Sequence, residues 1–277
     1  MEKIYFAIPS YRRAECLMNK TFPLLYTKLN IATSNITVFV VSEELAEYQA
    51  ALRDYPEVAI KVGPLGLHHM RNHIRRYYPT GTTLIQIDDD VEAFFHMQED
   101  AAIADKKSAK RYPLLPMDAA TFHETMLGAF QELHDKQLHL FGIYPVKNGY
   151  FMKDLPERTT DLRFCVGAFW GCINQPCETL MLHLEEKEDV ERTPRYYMQD
   201  HGVLRLNRMV LKTRYYKTQG GMQARPYDRI ETSKASCQYL LATFPQACKL
   251  YTSKKSGIYE IRLIAAAPAP MRNPEIV

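Results

Sequence analysis

The sequence of 277 residues lacks several features that mark common protein classes. No stretch approaches the roughly 20 apolar residues that a membrane-spanning helix needs. The first ten residues, MEKIYFAIPS, lack the charged, apolar and cleavage regions of a signal peptide. The 6 cysteines include no CxxC pair, and Cys165, Cys172 and Cys177 are poorly spaced for zinc. These absences predict a cytoplasmic protein with reduced thiols and no membrane partner.

Common catalytic motifs are missing as well. The sequence contains no GxSxG, Walker or GxGxxG pattern, which disfavours hydrolase, P-loop and dinucleotide-binding functions. The composition, 46% hydrophobic and 24% charged, is ordinary for a folded protein and excludes disordered and fibrous classes. There is no internal repeat and no low-complexity linker. We therefore expect a single domain over 1–277.

Charge is unevenly distributed along the chain. The whole sequence carries +3, but residues 192–262 contain 14 Lys and Arg against 4 Asp and Glu. This region therefore carries +10 and the remainder −7. Such asymmetry is compatible with a polyanionic partner for the basic part, and equally with a basic face that has no partner.

The first 95 residues alternate between apolar runs typical of strands and amphipathic runs typical of helices. The predicted strands are 3–9, 36–42, 58–63 and 82–90. The predicted helices are 15–29, with a kink or break at its proline, 43–55 and 66–79. Strand–helix alternation with short connections predicts an α/β fold, with a mostly parallel twisted sheet and helices on both faces. In such sheets ligands bind at the carboxyl ends of the strands.

After residue 95 the pattern is less regular. Residues 97–116 are charged and bounded by prolines, which indicates a surface excursion. The other predicted elements are helices at 118–137, 185–198 and 233–244, strands at 139–145, 162–174 and 258–265, and an extended segment at 203–218. We expect the acidic and basic halves to share one sheet.

Three consecutive carboxylates, Asp88, Asp89 and Asp90, follow the apolar run TTLIQI. Because like charges repel and desolvation is costly, three such groups cannot all be buried without compensation. A divalent cation such as Mg²⁺ or Mn²⁺ is the usual compensation, shared with phosphate oxygens. Strand alternation predicts that Asp88 and Asp90 face one way and Asp89 the other. The alternatives are a solvated acidic turn or the N-cap of a helix that begins at Val91.

A glycine-containing segment, VGPLGLHHMRN, precedes these aspartates. Gly63 and Gly66 permit a tight turn, and the helix N-terminus behind them can receive a phosphate. Arg71 and Asn72 lie one turn further and could donate to a phosphate or a ribose.

Three later features carry possible chemistry, each with a structural alternative. Glu188 and Asp189 are either first-turn dipole partners of a helix or the source of a general base. Trp170, in GAFWGCIN, either stacks on a sugar or base or belongs to the core. The pair at 220–221, Gly220 and Gly221, either lets the backbone approach a ligand or forms a turn.

The segments IPSYRR, VVSEEL, GLHHMRN and IDDDV together resemble the donor half of a GT-A glycosyltransferase, in which the acidic triplet is the DxD motif. The resemblance implies that Asp88 meets the ribose or the metal, that Asp90 holds Mn²⁺ or Mg²⁺ on the diphosphate, and that Asp89 belongs to the same motif. It implies a nucleotide-sugar donor, a UDP-sugar foremost, bound by the half 1–95, with the acceptor bound by the half 96–277. The residues implied at the donor are Pro9, Ser10, Tyr11, Arg12, Gly66, Arg71 and Asn72. Glu188-Asp189 stands where the family has its xED motif, whose last carboxylate is the base in inverting members.

More narrowly, the order of these segments with GAFWG, KEDVER, YYMQDHGVLRLN, KTRYY, QGG and IYEIRL resembles the TET/JBP-associated glycosyltransferases. That resemblance implies an acceptor hydroxymethyl group on a pyrimidine in DNA, in the cytosol of a bacterial or phage-infected cell. The implied acceptor-binding residues are Trp170, Gly171, Arg205, Arg208, Gly220 and Gly221, with the basic region supplying phosphate contacts.

Several alternatives stay open at the level of sequence. An inverting reaction needs Asp189 as base, whereas a retaining one leaves it to orient the acceptor. The acceptor is DNA, a protein or a saccharide. A nucleotidyltransferase would use the same strand-end carboxylates, and a nucleic-acid-binding module would use them only as surface charge.

Overall fold

A computed structural model describes residues 3–213, 229–252 and 259–264. Its strands are β1 (Tyr5–Pro9), β2 (Ile36–Val40), β3 (Ala59–Val62), β4 (Thr83–Ile87), β5 (Ala93–Met97), β6 (Leu114–Pro116), β7 (Leu140–Ile143), β8 (Arg158–Thr159), β9 (Phe169–Ile173), β10 (Leu204–Leu206), β11 (Met209–Lys212), β12 (Cys248–Thr252) and β13 (Tyr259–Leu263). Its α-helices are α1 (Ala14–Asn19), α2 (Thr21–Pro23), α3 (Leu45–Ala51), α4 (Leu67–Tyr77), α5 (Ala119–Asp135), α6 (Glu188–Asp200) and α7 (Arg229–Thr243).

Within the described ranges, the central sheet has eight strands in the order β3-β2-β1-β4-β9-β7-β10-β8. The first four pair in parallel, and β7 and β10 pair in parallel with each other. Strand β9 runs antiparallel between β4 and β7, and β8 is antiparallel to β10. The sheet is therefore mostly parallel and contains strands from both halves of the sequence, as the sequence predicts.

Helices cover both faces of this sheet because its strands are apolar on both faces. Phe6 and Ile8 of β1 belong to a core cluster with α1, α3 and α5, whereas Ala7 belongs to a second cluster with α4, α6 and α7. Neighbouring residues of a strand point to opposite faces, so a strand buried on both sides reads as a continuous apolar run. This burial explains why β1, β2 and β4 are visible in the sequence.

One sequence-level alternative is wrong, one predicted helix breaks at a different residue, and several short strands were not predicted. The residues after Asp90 do not begin a helix but form β5, because Phe94 is buried in the core and β5 pairs with both β11 and β6. The helix predicted over 15–29 with a proline kink or break is divided at Lys20, and after Pro23 it continues as the π-helical turn Leu24–Lys28. Strand β12 had no clear pattern, since four of its five residues are exposed.

Other local predictions are confirmed. Helix α5 begins after Asp118, whose side chain accepts a hydrogen bond of 2.8 Å from the Thr121 amide. Asp118 is therefore the N-cap that the sequence indicates. None of the helices in the described ranges combines the length and apolar character needed to cross a membrane. Gly220 and Gly221 lie outside the described residues.

Candidate active site

Polar side chains meet where β1 and β4 end side by side in the sheet. Ser10, directly after β1, donates a hydrogen bond of 2.6 Å to Asp89 Oδ2, and its Oγ lies 2.6 Å from Tyr48 Oη. The turn Ser10–Arg13 is held from a second side by Glu44, which accepts the Arg12 amide at 2.9 Å. Arg12 adopts a left-handed conformation (φ 55°), and its side chain is 62% exposed. The turn after β1 thus presents Arg12 to solvent and Ser10 to the acidic triplet.

Arg13 compensates two of the three carboxylates. Its Nη1 lies 3.2 Å from Asp89 Oδ1 and 3.4 Å from Asp90 Oδ2. Strand β4 ends at Ile87, so Asp89 and Asp90 lie in a turn, where the side-chain alternation of a strand does not apply. Their carboxylates share Arg13 as a cation. Asp90 also accepts a hydrogen bond of 2.8 Å from Thr213.

Arg71 forms an ion pair with the third carboxylate, Asp88. Its guanidinium is fully buried, with Nη2 at 2.6 Å from Asp88 Oδ1 and 3.0 Å from the Gly167 carbonyl. On its other side, Nε lies 3.7 Å from Glu188 Oε1. Arg71 therefore links the acidic triplet at the end of β4 to the first turn of α6.

The first turn of α6 brings Glu188 and Asp189 to the same place, but in different environments. Glu188 is buried and pairs with Arg192 at 2.9 Å, one turn along the helix. Asp189 is half-buried and accepts the Gly167 amide at 3.1 Å. A Cβ on Gly167 would lie 2.9 Å from Glu188 Oε1 and 3.2 Å from Asp189 Oδ2, so only glycine permits this approach. Asp189 is consequently the carboxylate of the pair that can meet a ligand.

Burial dominates the electrostatics of this cluster. It raises the pKa of Asp89 to about 7, against the opposing effects of Arg13 and the Ser10 hydrogen bond. Burial likewise raises the pKa of Asp88 and of Glu188, opposed by Arg71 and Arg192. Two arginines thus compensate the triplet only in part, and the site keeps a deficit of positive charge.

The carboxylates of this site can be compared with the oxygen ligands that a hard divalent cation needs. In the described part of the chain, no group of three or more His, Cys, Asp or Glu side chains is arranged to hold a metal ion. Asp88 keeps Oδ2 without a hydrogen bond among described residues, and its side chain is 34% exposed. Asp88 therefore offers an open oxygen to a cation, whereas both oxygens of Asp90 are engaged by Thr213 and Arg13. Mg²⁺ or Mn²⁺ bound between them would need phosphate and water to complete its coordination.

The predicted phosphate site at the N-terminus of α4 is filled by the chain itself. Gly66 (φ 115°) precedes the helix, and Glu185 accepts the Leu67 amide at 2.9 Å and contacts His68 Nδ1 at 2.6 Å. Asn72 exchanges hydrogen bonds of 2.8 and 2.9 Å with the backbone of Leu182 and does not face the triplet's carboxylates. Asn72 therefore tethers the segment before α6, and no contact in the structure supports the donor-binding role predicted for it.

Two predicted acceptor-binding residues lie in the core. Trp170 is completely buried in β9, with the Arg192 guanidinium 4.2 Å from its ring centroid. Gly171 is buried too, and a Cβ there would lie 2.1 Å from the Phe141 ring. Both acceptor roles are wrong. Gly171 leaves room for the Phe141 ring, and the Trp170 indole has no exposed face.

The predicted phosphate contacts of the basic region also change. Arg205 is buried in β10, where its Nε donates a hydrogen bond of 2.6 Å to Asn207 Oδ1, so the role predicted for it is wrong. Arg208 is half-buried, 3.6 Å from Met97 Sδ. Lys212 pairs with Glu92 at 2.5 Å. Of these three basic residues, Arg205 is buried in a strand, Arg208 lies in the turn between β10 and β11, and Lys212 is exposed but already paired.

Arg13, Gly167 and Thr213 were not singled out from the sequence. The second arginine of YRR could have been, because three adjacent carboxylates require nearby cations. Gly167 and Thr213 carry no such signal, since their roles arise from contacts 22 and 123 positions away.

The architecture and the site define an α/β fold of the GT-A-like class, with polar groups gathered at the carboxyl ends of its central strands. No family model matches the sequence, and no curated protein matches it. Among solved structures, the 1–349 fragment of S. aureus TarS in complex with UDP-GlcNAc is similar, with a TM-score of 0.51 and 13% identity over 87% of this chain.

Two further structures are similar at lower scores. The same TarS fragment without a ligand has a TM-score of 0.48 at 13% identity, covering 87% of this chain and 66% of that one. A CMP:2-keto-3-deoxy-manno-octonic acid synthetase complexed with CTP has a TM-score of 0.45 at 8% identity, covering 74% of this chain and 89% of that one. This chain spans 67% of the TarS fragment that binds UDP-GlcNAc, and the likeness establishes the fold.

Proposed function

We propose that this protein transfers a sugar from a nucleotide sugar to a hydroxyl acceptor. The observation that carries the proposal is the convergence of Ser10, Arg13 and the Asp88–Asp90 triplet with Asp189 at one edge of the sheet. In open α/β sheets this edge is where ligands bind. The fold likeness to a TarS fragment that holds UDP-GlcNAc supports a UDP-sugar as the donor.

The donor lies across the ends of β1 and β4 in this proposal, within the 1–95 half. Pro9, Ser10 and Tyr11 line the nucleoside, and the exposed Arg12 guanidinium donates to it or to its phosphates. Arg71 does not touch the donor, because it is buried beneath Asp88. It holds that carboxylate in place.

Asp88 and Asp90 would hold Mn²⁺ or Mg²⁺ together with the donor diphosphate. When bound there, the cation supplies Lewis-acid stabilisation of the departing nucleoside diphosphate. The chain's own contribution is to orient the two carboxylates, through Arg71 for Asp88 and through Arg13 and Thr213 for Asp90.

Asp189 is the base if the reaction inverts. Its carboxylate takes the proton of the acceptor hydroxyl, the hydroxyl oxygen bonds to C1 of the sugar, and the bond from C1 to the diphosphate oxygen breaks. In a retaining reaction Asp189 orients the acceptor instead. Glu188 stays an ion-pair partner of Arg71 and Arg192 in either case.

The acceptor we propose is a hydroxymethyl group on a pyrimidine of DNA, bound by the 96–277 half. The supports are the sequence resemblance and the +10 region, in which Lys234, Lys249 and Arg262 are exposed among the described residues, while Arg192 and Arg205 are buried. A protein or saccharide acceptor would need no such surface.

The test is a nucleoside-diphosphate release assay with Mn²⁺, screening several nucleotide sugars against hydroxymethylpyrimidine DNA and unmodified DNA. Asp90→Ala is expected to abolish release, and Asp54→Ala, on an exposed side chain that is 80% accessible, serves as the matched control. Release that does not respond to DNA would move the acceptor to protein or saccharide. Pyrophosphate release would indicate a nucleotidyltransferase, and no release with any donor would contradict the proposal.

A further inference from the structure

One face of the β12–β13 hairpin packs on the core at its Cys248 end but leaves Leu250 43% exposed, and the other face lies toward solvent. Cys248 is in the core cluster with α6 and α7, and Ile261 and Leu263 pack against that cluster. The alternate residues point the other way. Lys249 and Arg262 are exposed on that outer face, and the Tyr251 side chain beside them is 56% exposed.

The outer face pairs two positive charges directly. The register places Lys249 opposite Arg262 and Tyr251 opposite Glu260. Like charges directly opposite each other across strands are destabilising. Among the described residues, neither Lys249 nor Arg262 forms an ion pair, so no acidic side chain there neutralises this pair of charges.

The single acid of this hairpin is already used. Glu260 pairs with Lys187 at 3.2 Å, and the Lys187 side chain is only 7% exposed. Lys187 is the N-cap residue of α6, directly before Glu188 and Asp189. The hairpin is therefore anchored beside the helix end that carries the candidate base.

We propose that the outer face of the β12–β13 hairpin binds a nucleic-acid strand, with phosphates at Lys249 and Arg262 and a base stacked on Tyr251. Cations next to an exposed aromatic ring are the combination that holds a strand without reading its sequence. That this strand is the acceptor rests on the proposed function. The location of this surface goes beyond the sequence prediction, which assigned phosphate contacts to the basic region 192–262 as a whole and named only Arg205 and Arg208 within it.

The test measures binding of a fluorescent unmodified oligonucleotide by anisotropy, with no donor present. Lys249→Gln/Arg262→Gln is expected to weaken binding about tenfold and to lower the slope of log K against log salt by about 1.5. Tyr251→Ala is expected to weaken binding about tenfold with little change in slope. The matched control, Lys28→Gln/Arg53→Gln, removes two exposed charges near β2 and β3 and should bind like the wild type.

The melting temperature of the hairpin double variant should equal or exceed that of the wild type, since a repulsive pair is removed. Wild-type affinity with an unchanged salt slope in this variant would overturn the proposal. So would binding to phosphatidylglycerol vesicles through the same residues without binding to the oligonucleotide. Because the assay contains neither donor nor modified base, its failure leaves sugar transfer standing, and failure of sugar transfer leaves this result readable.

Discussion

Arg71 and Asp88 form an ion pair that solvent reaches from one side only. Arg71 Nη2 lies 2.6 Å from Asp88 Oδ1, and the arginine side chain is fully buried while that of the aspartate is 34% exposed. The burial of Arg71 lowers its pKa, but Asp88 and Glu188 more than offset this and raise it. The cation is thus a fixed support for two carboxylates of the candidate site.

Replacing Arg71 by methionine should therefore destabilise the fold. Removing one partner of a buried pair leaves Asp88 and Glu188 without their shared cation, which costs about 3 kcal/mol of unfolding free energy. Urea denaturation measures this. Arg76→Met in the same helix is the control; its side chain is 55% exposed, so its loss should cost no more than about 1 kcal/mol. Equal stability of the two variants would contradict the role assigned to Arg71.

Gly167→Ala should reduce activity through the position of Asp189. The new Cβ would lie 3.2 Å from Asp189 Oδ2 and 2.9 Å from Glu188 Oε1, so both carboxylates must shift. A displacement of this kind in a candidate base is expected to lower kcat about 100-fold in the diphosphate-release assay. Gly128→Ala, within α5 and facing the flexible end of Arg158, should leave kcat unchanged. Unaltered kcat in Gly167→Ala would count against Asp189.

Gly171→Ala should act on stability and not on acceptor binding. A Cβ at this position would lie 2.1 Å from the Phe141 ring, and overpacking of a core costs about 1–3 kcal/mol. The free energy of unfolding should fall while the acceptor KM of the folded fraction stays at the wild-type value. A changed KM without loss of stability would restore the acceptor role that the structure excludes.

Alkylation should distinguish the cysteines in the native protein. Burial raises the pKa of Cys165 and of Cys172 to about 11, and both thiols are completely buried. Since the thiolate is the reactive form, neither should react with iodoacetamide at pH 8 until the chain unfolds. Cys177 is half-exposed and should react first.

Mass spectrometry of the labelled peptides identifies which cysteines have reacted. Rapid native labelling of Cys172 would contradict the burial of β9.

The same pKa shifts predict a pH dependence of stability. Between pH 9 and about 11 the thiols of the unfolded chain ionise and those of the native protein do not, so the free energy of unfolding should fall as pH rises through that window.

The sequence predicted those parts of the fold whose burial produces a recognisable pattern of apolar residues. Strands β1, β2 and β4 read as continuous apolar runs because they are buried on both faces. Strand β12 was missed because most of its side chains are exposed. The alternative of a helix after Asp90 is wrong because pairing of β5 with β11 outweighs local propensity.

The candidate site, too, has features that the sequence shows and features that only the tertiary structure shows. By itself, the sequence determined that three carboxylates follow a strand, because adjacent residues of one sign are visible without any fold. Only the tertiary structure decided which cation compensates each carboxylate. It also decided that Trp170, Gly171 and Arg205 all lie in the interior. Those outcomes depend on contacts between residues far apart in the chain, such as Arg71 with Glu188 and Gly167 with Asp189. Packing of the sheet sets these distances, and no local pattern encodes them.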